Sequence, residues 1–263
     1  MPNLEEIRQY FAHIVNAPTM VAFSGGADSV LVLKLALDAA GNRFPIYALY
    51  ADAPWMPRKA LMQAQQIASD FGIDLHVVSL GSPKSIGIEN NPKNRCYLCK
   101  KAIFDSFQSF GRKHGCGILL EGTQLDDLTQ YRPGLQAIAE SGALSPLKEL
   151  RLHKADVREL LQYFKLSAAK KPSGSCLATR IAYDHDLSEE LFSRIDCAEN
   201  WLQSFGVTRF RVRSHGEIAR IEVNSEDFGK IIAFRAELTK KLKALGWKYV
   251  TLDLEGFRSG SMD

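Results

Sequence analysis

The sequence predicts an α/β protein built on a doubly wound parallel sheet, followed by a smaller α+β domain. Three observations carry that prediction. Up to about residue 185, short apolar runs alternate with stretches of helical spacing, the pattern of βαβ units. One of those runs feeds directly into a glycine-rich turn, Ser24-Gly25-Gly26-Ala27-Asp28-Ser29, which opens an apolar helix. From about Asp186 the order changes to helix, two alternating strands, helix and a last strand. The expected domains are therefore 1–185 and 186–263.

Each element has a local reason. Met20-Val21-Ala22-Phe23 is continuously apolar, as a strand covered on both faces of a parallel sheet must be. Val30, Leu31, Leu33, Leu35, Ala36 and Leu37 continue as a helix packed on it. Residues 44–51 read as a second strand leading into Asp52-Ala53-Pro54-Trp55, and 56–71 have helical spacing that stops at Gly72. Further on, strands are expected at 74–80 and 118–123, and helices at 101–114 and 153–161. In the second domain 189–205 is a helix, 208–213 and 218–223 are antiparallel strands, 228–245 is one helix and 249–254 the final strand. The carboxyl ends of strands bound the ligand crevice of a doubly wound sheet. That places residues 50–55, and the loop from Gly122 to Asp127 and on to Tyr131-Arg132-Pro133-Gly134-Leu135, near the glycine-rich turn. Trp55 fits the crevice and the core equally well.

A formal charge of +3 over 263 residues is too small to imply a nucleic-acid partner, so any basic site must be local. No apolar run approaches the ~20 residues needed to span a bilayer. The start, MPNLEEIRQYF, is an amphipathic helix without a signal-peptide centre, so a cytoplasmic enzyme is expected. Five cysteines, an odd number, in a chain able to bury a core argue against a disulfide scaffold.

The turn offers backbone N–H groups and the positive end of a helix dipole, which suit an anion. Gly25 and Gly26 let a phosphate approach the backbone closely. No Gly-Lys-Ser/Thr closes it, so it is not a Walker A loop. SGGxDS instead resembles the signature of the PP-loop ATP pyrophosphatases, which split ATP to AMP and pyrophosphate. The resemblance implies that Ser24, Gly25, Gly26, Asp28 and Ser29 bind the ATP phosphates, with Gly122 in the same crevice and Asp28 as a ligand of Mg2+.

Two further features bear chemistry. In Lys170-Lys171-Pro172-Ser173-Gly174-Ser175-Cys176 a cysteine rides on a polar loop, where Lys170, Lys171 and Arg180 favour the thiolate. Cys96 and Cys99 form a C-x2-C, ambiguous among zinc, redox and iron–sulfur use. Structural zinc would need a second such pair, and none is present. Cys176 is the best-placed third ligand, and three thiolates would hold a [4Fe-4S] cluster with one iron left for exogenous sulfide. Cys116 and Cys197 look like core cysteines, and either remains open as a fourth ligand. Finally, Arg209, Arg211 and Arg213 project from one face of a strand, with Phe210 and Val212 on the other. Three guanidiniums side by side repel unless an anion or carboxylates sit among them, which points to a phosphate- or carboxylate-binding surface.

SGGADSVLVLKLALD, YRPGL, the SCLATR loop, RVRSHGEIARIEV and YVTLDLEGFRSG together resemble the LarE family nearly end to end. The last three stretches are far more specific than the turn alone. Enzymes of that family adenylate a carboxylate of pyridinium-3,5-biscarboxylic acid mononucleotide, release pyrophosphate and replace AMP with sulfur, in nickel-pincer cofactor synthesis. The resemblance implies that Cys176 is catalytic. In one branch the matching cysteine gives up its own sulfur; in the other, three cysteines hold a cluster that delivers sulfide, and Cys96 and Cys99 put this chain with the second. It further implies that Thr179, Arg180, Arg211, Arg213 and Arg258 hold substrate phosphate and carboxylates, and offers Glu199 as a metal ligand. A sulfide source and a homo-oligomer, in the family a hexamer, are implied as partners. Two rivals are tRNA thiolation, which needs a broad basic face, and a non-catalytic nucleotide-binding metal module, against which SGGADS and Cys176 argue.

Overall fold

Asn3 starts the first helix, its side-chain oxygen accepting from the Glu6 N–H, and α1 (Leu4–Ile14) buries Ile7 and Phe11. This computed structural model describes residues 3–129, 133–170, 174–258 and 260–262. After α1 come β1 (Thr19–Ala22), α2 (Ala27–Ala40), β2 (Ile46–Asp52), α3 (Arg58–Asp70), β3 (Leu75–Ser79), α4 (Arg95–His114), β4 (Ile118–Leu120), α5 (Pro133–Ser141), the short α6 (Pro146–Glu149) and α7 (Lys154–Tyr163). The strands form one parallel sheet in the order β3-β2-β1-β4, with β1 inside and paired to both β2 and β4. α2 packs between the sheet, α1 and α7. That position explains its sequence: Leu31, Val32, Leu33 and Ala36 are all fully buried, so no polar stripe is needed.

The second part consists of α8 (Glu189–Ser204), β5 (Phe210–His215), β6 (Ile218–Val223), α9 (Phe228–Ala233), α10 (Arg235–Ala244) and β7 (Tyr249–Leu252). β5 and β6 are an antiparallel hairpin turning at Gly216, whose φ is +60°, and β7 lies parallel to β6.

The chain divides into two compact units. The first is Met1–Ala53, Arg58–Gly81 and Asn94–Gly174; the second is Pro54–Pro57, Ser82–Lys93 and Ser175–Asp263. Residues 175–185, expected with the first part, thus cluster with the second, as do two pieces from earlier in the chain. Hydrogen bonds within the second unit explain this. The Leu177 N–H donates to the Trp55 carbonyl (2.8 Å), and the Leu187 N–H to that of Glu89 (2.7 Å). The fully buried Asn91 amide donates to the carbonyls of Ile181 and Ala182. Trp55, 1% exposed, is core.

Three elements differ from expectation. The helix expected from residue 101 begins at Arg95 and so carries Cys96 and Cys99 in its opening turns. The fourth strand stops at Leu120, because the next residues form a turn held by Glu121. The single helix at 228–245 is broken at Phe234, whose ring packs 4.6 Å from Phe205. Tyr131, Arg132, Lys171, Pro172, Ser173 and Ser259 lie outside the described residues, as does the side chain of Lys170. Among the described residues, no helix is long and apolar enough to cross a membrane.

Candidate functional site

In the first unit the turn after β1 is built by hydroxyls folding back on the backbone. Ser29 Oγ donates to the Gly26 carbonyl (3.0 Å) and accepts from the Ser24 N–H (3.2 Å), while Ser24 Oγ accepts from the Gly26 N–H (3.3 Å). Gly25 has φ +67°, and a Cβ there would stand 3.1 Å from the Cα of Ala64 on α3. Both its dihedral and the close approach of α3 therefore require glycine. At Gly122 a Cβ would stand 3.1 Å from Asp28 Cβ and from the Ser29 nitrogen, so the end of β4 presses directly on the start of α2. The buried Glu121 fixes that end, accepting from the Thr123 N–H and hydroxyl and from the Ser145 hydroxyl.

Asp28 does not stand alone. Lys154 Nζ donates to both of its oxygens, at 2.7 and 2.5 Å. Lys154 opens α7, where its backbone N–H donates to Asp126 (2.8 Å) and the neighbouring His153 ring meets the other Asp126 oxygen at 2.6 Å. That hydrogen bond pushes the His153 pKa up and the Asp126 pKa down. The start of α7 thus delivers a lysine to the glycine-rich turn, and a carboxylate from the segment after β4 holds that start of α7 in place.

In the second unit Cys176 is half-exposed at the head of a short turn, Leu177–Arg180. Arg180, 3% exposed, holds this loop: its Nη1 donates to the carbonyls of Ser175 and Cys176 and to the hydroxyls of Ser175 and Thr179. Its Nε and Nη2 donate to the two oxygens of Glu199, at 2.9 and 2.8 Å. Glu199 also accepts from the Val212 N–H. Arg213, 5% exposed, donates through Nε and Nη2 to the fully buried Glu222 and through Nη1 to the Thr179 carbonyl. Carboxylates thus sit among the guanidiniums, as their crowding demands.

Arg211 is different. Its side chain donates to the Phe210 carbonyl (2.7 Å) and reaches the Ser175 hydroxyl at 3.4 Å, and among the described residues no carboxylate pairs with it. Burial, then the neighbouring Arg180, push its pKa down to about 10. It is a half-buried cation facing the cysteine loop without a counter-ion, and an anion is what the arrangement lacks.

No family model matches the chain. Over 243 residues it is 36% identical to the pyridinium-3,5-bisthiocarboxylic acid mononucleotide synthase of Lactiplantibacillus plantarum, spanning 92% of this chain and 88% of that protein. The chain belongs to the LarE family. An uncharacterised protein of Synechocystis sp. is 36% identical over 99% of this chain and 96% of its own length. Weaker similarity, 22% over 62% of this chain and 55% of the relative, extends to one of the subunits of the glutamine-hydrolysing GMP synthase of Pyrococcus horikoshii. With the parallel sheet and the SGGADS turn, that similarity makes the fold a PP-loop α/β fold.

In this LarE chain the sequence-predicted residues fall into two groups. Ser24, Gly25, Gly26, Asp28, Ser29 and Gly122 converge in the first unit; Cys176, Thr179, Arg180, Glu199, Arg211 and Arg213 converge in the second. Arg258 is half-exposed and pairs with Glu255. Glu199, offered as a metal ligand, has both oxygens on Arg180. Among the described residues no three His, Cys, Asp or Glu side chains are grouped to hold a metal ion. Cys96 and Cys99 sit one turn apart on α4 in the first unit, and Cys176 belongs to the second. The thiol pair has the donor chemistry of a cluster, and Asp28 that of a magnesium ligand once Lys154 moves aside. Sequence reasoning missed Lys154 and Glu222. Lys154 lies 126 residues from its partner, and its only local signal is the capping box joining His153 and Asp156.

Proposed function

We propose that this protein is an ATP-dependent sulfurtransferase that converts a carboxylate of pyridinium-3,5-biscarboxylic acid mononucleotide to a thiocarboxylate, in nickel-pincer cofactor synthesis. Its place in the LarE family supports this reading. The observation that carries it is Arg211, a half-buried guanidinium without a carboxylate partner, hydrogen-bonded to the residue that precedes Cys176.

ATP lies with its phosphates on the turn from Ser24 to Ser29, where backbone N–H groups and the α2 dipole oppose their charge. Asp28 would hold Mg2+, and Lys154, displaced from Asp28, would turn to the phosphates. A substrate carboxylate oxygen bonds to the α-phosphorus, the bond to the β-phosphate bridging oxygen breaks, and pyrophosphate leaves. The acyl-adenylate is a far better electrophile than a carboxylate. Sulfide then bonds to the acyl carbon and AMP departs. Cys96, Cys99 and Cys176 would be the thiolates that hold a [4Fe-4S] cluster, whose chemistry would be to carry the sulfide. Arg211 and Thr179 hold the substrate anion, while Arg180 and Arg213, each already neutralised by a carboxylate, shape the loop beneath it. Arg258 reaches the substrate only by leaving Glu255. The chemistry needed from the protein is positioning and charge neutralisation. In this proposal the enzyme is a cytoplasmic homo-oligomer, and the exposed Ile232, Tyr249 and Leu254 of the second unit support such contacts.

Anaerobic incubation with ATP, Mg2+ and the mononucleotide, followed by mass spectrometry, tests the reading. The expected product carries sulfur in place of one oxygen, and pyrophosphate release depends on the mononucleotide. Release that depends instead on transfer RNA would overturn the substrate assignment. The purified protein should be brown, and Cys96→Ala or Cys176→Ala should remove both colour and sulfur transfer. Stoichiometric zinc without iron would rule out the cluster.

A further inference from the structure

The C-terminal segment after β7 is pinned across the hairpin of β5 and β6. Gly256 has φ +74°, and a Cβ there would lie 2.9 Å from the Val223 carbonyl, so only glycine lets the chain pass this close. The Phe257 N–H then donates to that same carbonyl (2.9 Å). Farther on, the Ser261 hydroxyl donates to Glu222 (2.6 Å), the carboxylate that neutralises Arg213. Between these anchors the Phe257 ring comes under two guanidiniums, Arg209 at 5.4 Å and Arg211 at 5.1 Å from its centre.

Arg209 immediately precedes β5 and Arg211 is its second residue, and both guanidiniums meet the one Phe257 ring. Among the described residues neither forms an ion pair with a carboxylate. The aromatic face, with its negative quadrupole, is the attraction the structure provides for both. It leaves their N–H edges able to donate, which a carboxylate partner would not. Two guanidiniums gathered on one ring suit an anion of two negative charges, such as a phosphomonoester, better than a single carboxylate.

We propose that Phe257 is a positioning residue that holds Arg209 and Arg211 together as the seat for the substrate's phosphomonoester. This inference rests on the proposed function for the identity of the substrate, but its anion chemistry is testable apart from it. Phe257→Leu keeps an apolar side chain and removes the π face, and Phe257→Trp restores that face. Steady-state kinetics should show the mononucleotide KM rising about tenfold in Phe257→Leu, with the ATP KM and the unfolding temperature little changed, and recovery in Phe257→Trp. Arg209→Leu should raise the same KM. The dephosphorylated nucleoside should bind equally to wild type and Phe257→Leu. In parallel, calorimetry with inorganic phosphate should show binding to wild type that weakens in Phe257→Leu. If wild type binds phosphate in this way but does not turn over the mononucleotide, the substrate assignment fails and the phosphate seat stands. If Phe257→Leu matches wild type in phosphate binding, or wild type binds no phosphate, the role of Phe257 is overturned.

Discussion

The two candidate sites are made by opposite means. The turn at Ser24–Ser29 is backbone architecture: two glycines, hydroxyls folded onto the main chain, and the start of a buried helix. The region around Cys176 is side-chain architecture, in which Arg180 and Arg213 are each locked to a carboxylate and Arg211 is left over. A backbone site tolerates little change in shape but asks little of distant residues. A side-chain site depends on partners far apart in sequence, and it separates charges that hold the fold from the charge that awaits a ligand.

Arg213→Leu should produce the largest effect, because it removes both bonds to one oxygen of the fully buried Glu222, whose other oxygen keeps Arg220 and Ser261. Breaking a buried pair costs about 3 kcal/mol or more, to be read as a lowered denaturant midpoint. Unchanged stability would erase the distinction between structural and ligand-binding arginines. Gly25→Ala should come next, costing about 1–3 kcal/mol for the positive φ and the contact with α3 and removing ATP binding measured by calorimetry. Retained ATP affinity would show that the turn's shape is not what holds phosphate. Arg211→Leu should leave stability within about 1 kcal/mol of wild type, since no ion pair is broken, while the mononucleotide KM rises. A marked loss of stability would instead make Arg211 a structural residue. The smallest effect belongs to His153, whose titration by NMR should lie above the ordinary histidine range and return toward it in Asp126→Asn. Because its folded pKa is raised, the stabilisation it adds is present at low pH and fades as pH rises through that pKa.

This contrast also decides what could be read from the sequence. The parallel sheet and the glycine-rich turn were legible because apolar runs, helical spacing and Gly-Gly act within a few residues. The charge pattern of β5 announced that carboxylates or an anion must lie among Arg209, Arg211 and Arg213, yet it could not say which cation had which partner. Glu222 comes from the paired strand, where Arg211 lies opposite it in register, and still its ion partners are Arg213 and Arg220. Lys154 was hidden for the same reason, since nothing near it in sequence points to Asp28. The broken helix at Phe234 escaped because no proline or glycine marks the break.

Asn91, held at φ +48° with its amide on two carbonyls after the SCLATR loop, carries a consequence for anyone who would cut this chain. A fragment running from Ser175 to the end would keep both strands of the hairpin but lose Asn91, Glu89 and the Trp55 carbonyl together. The backbone groups they satisfy would be orphaned in an apolar interior. Expressed by itself, such a fragment would be a set of secondary structures without its keystone, and the cysteine loop would have no fixed shape to offer a substrate.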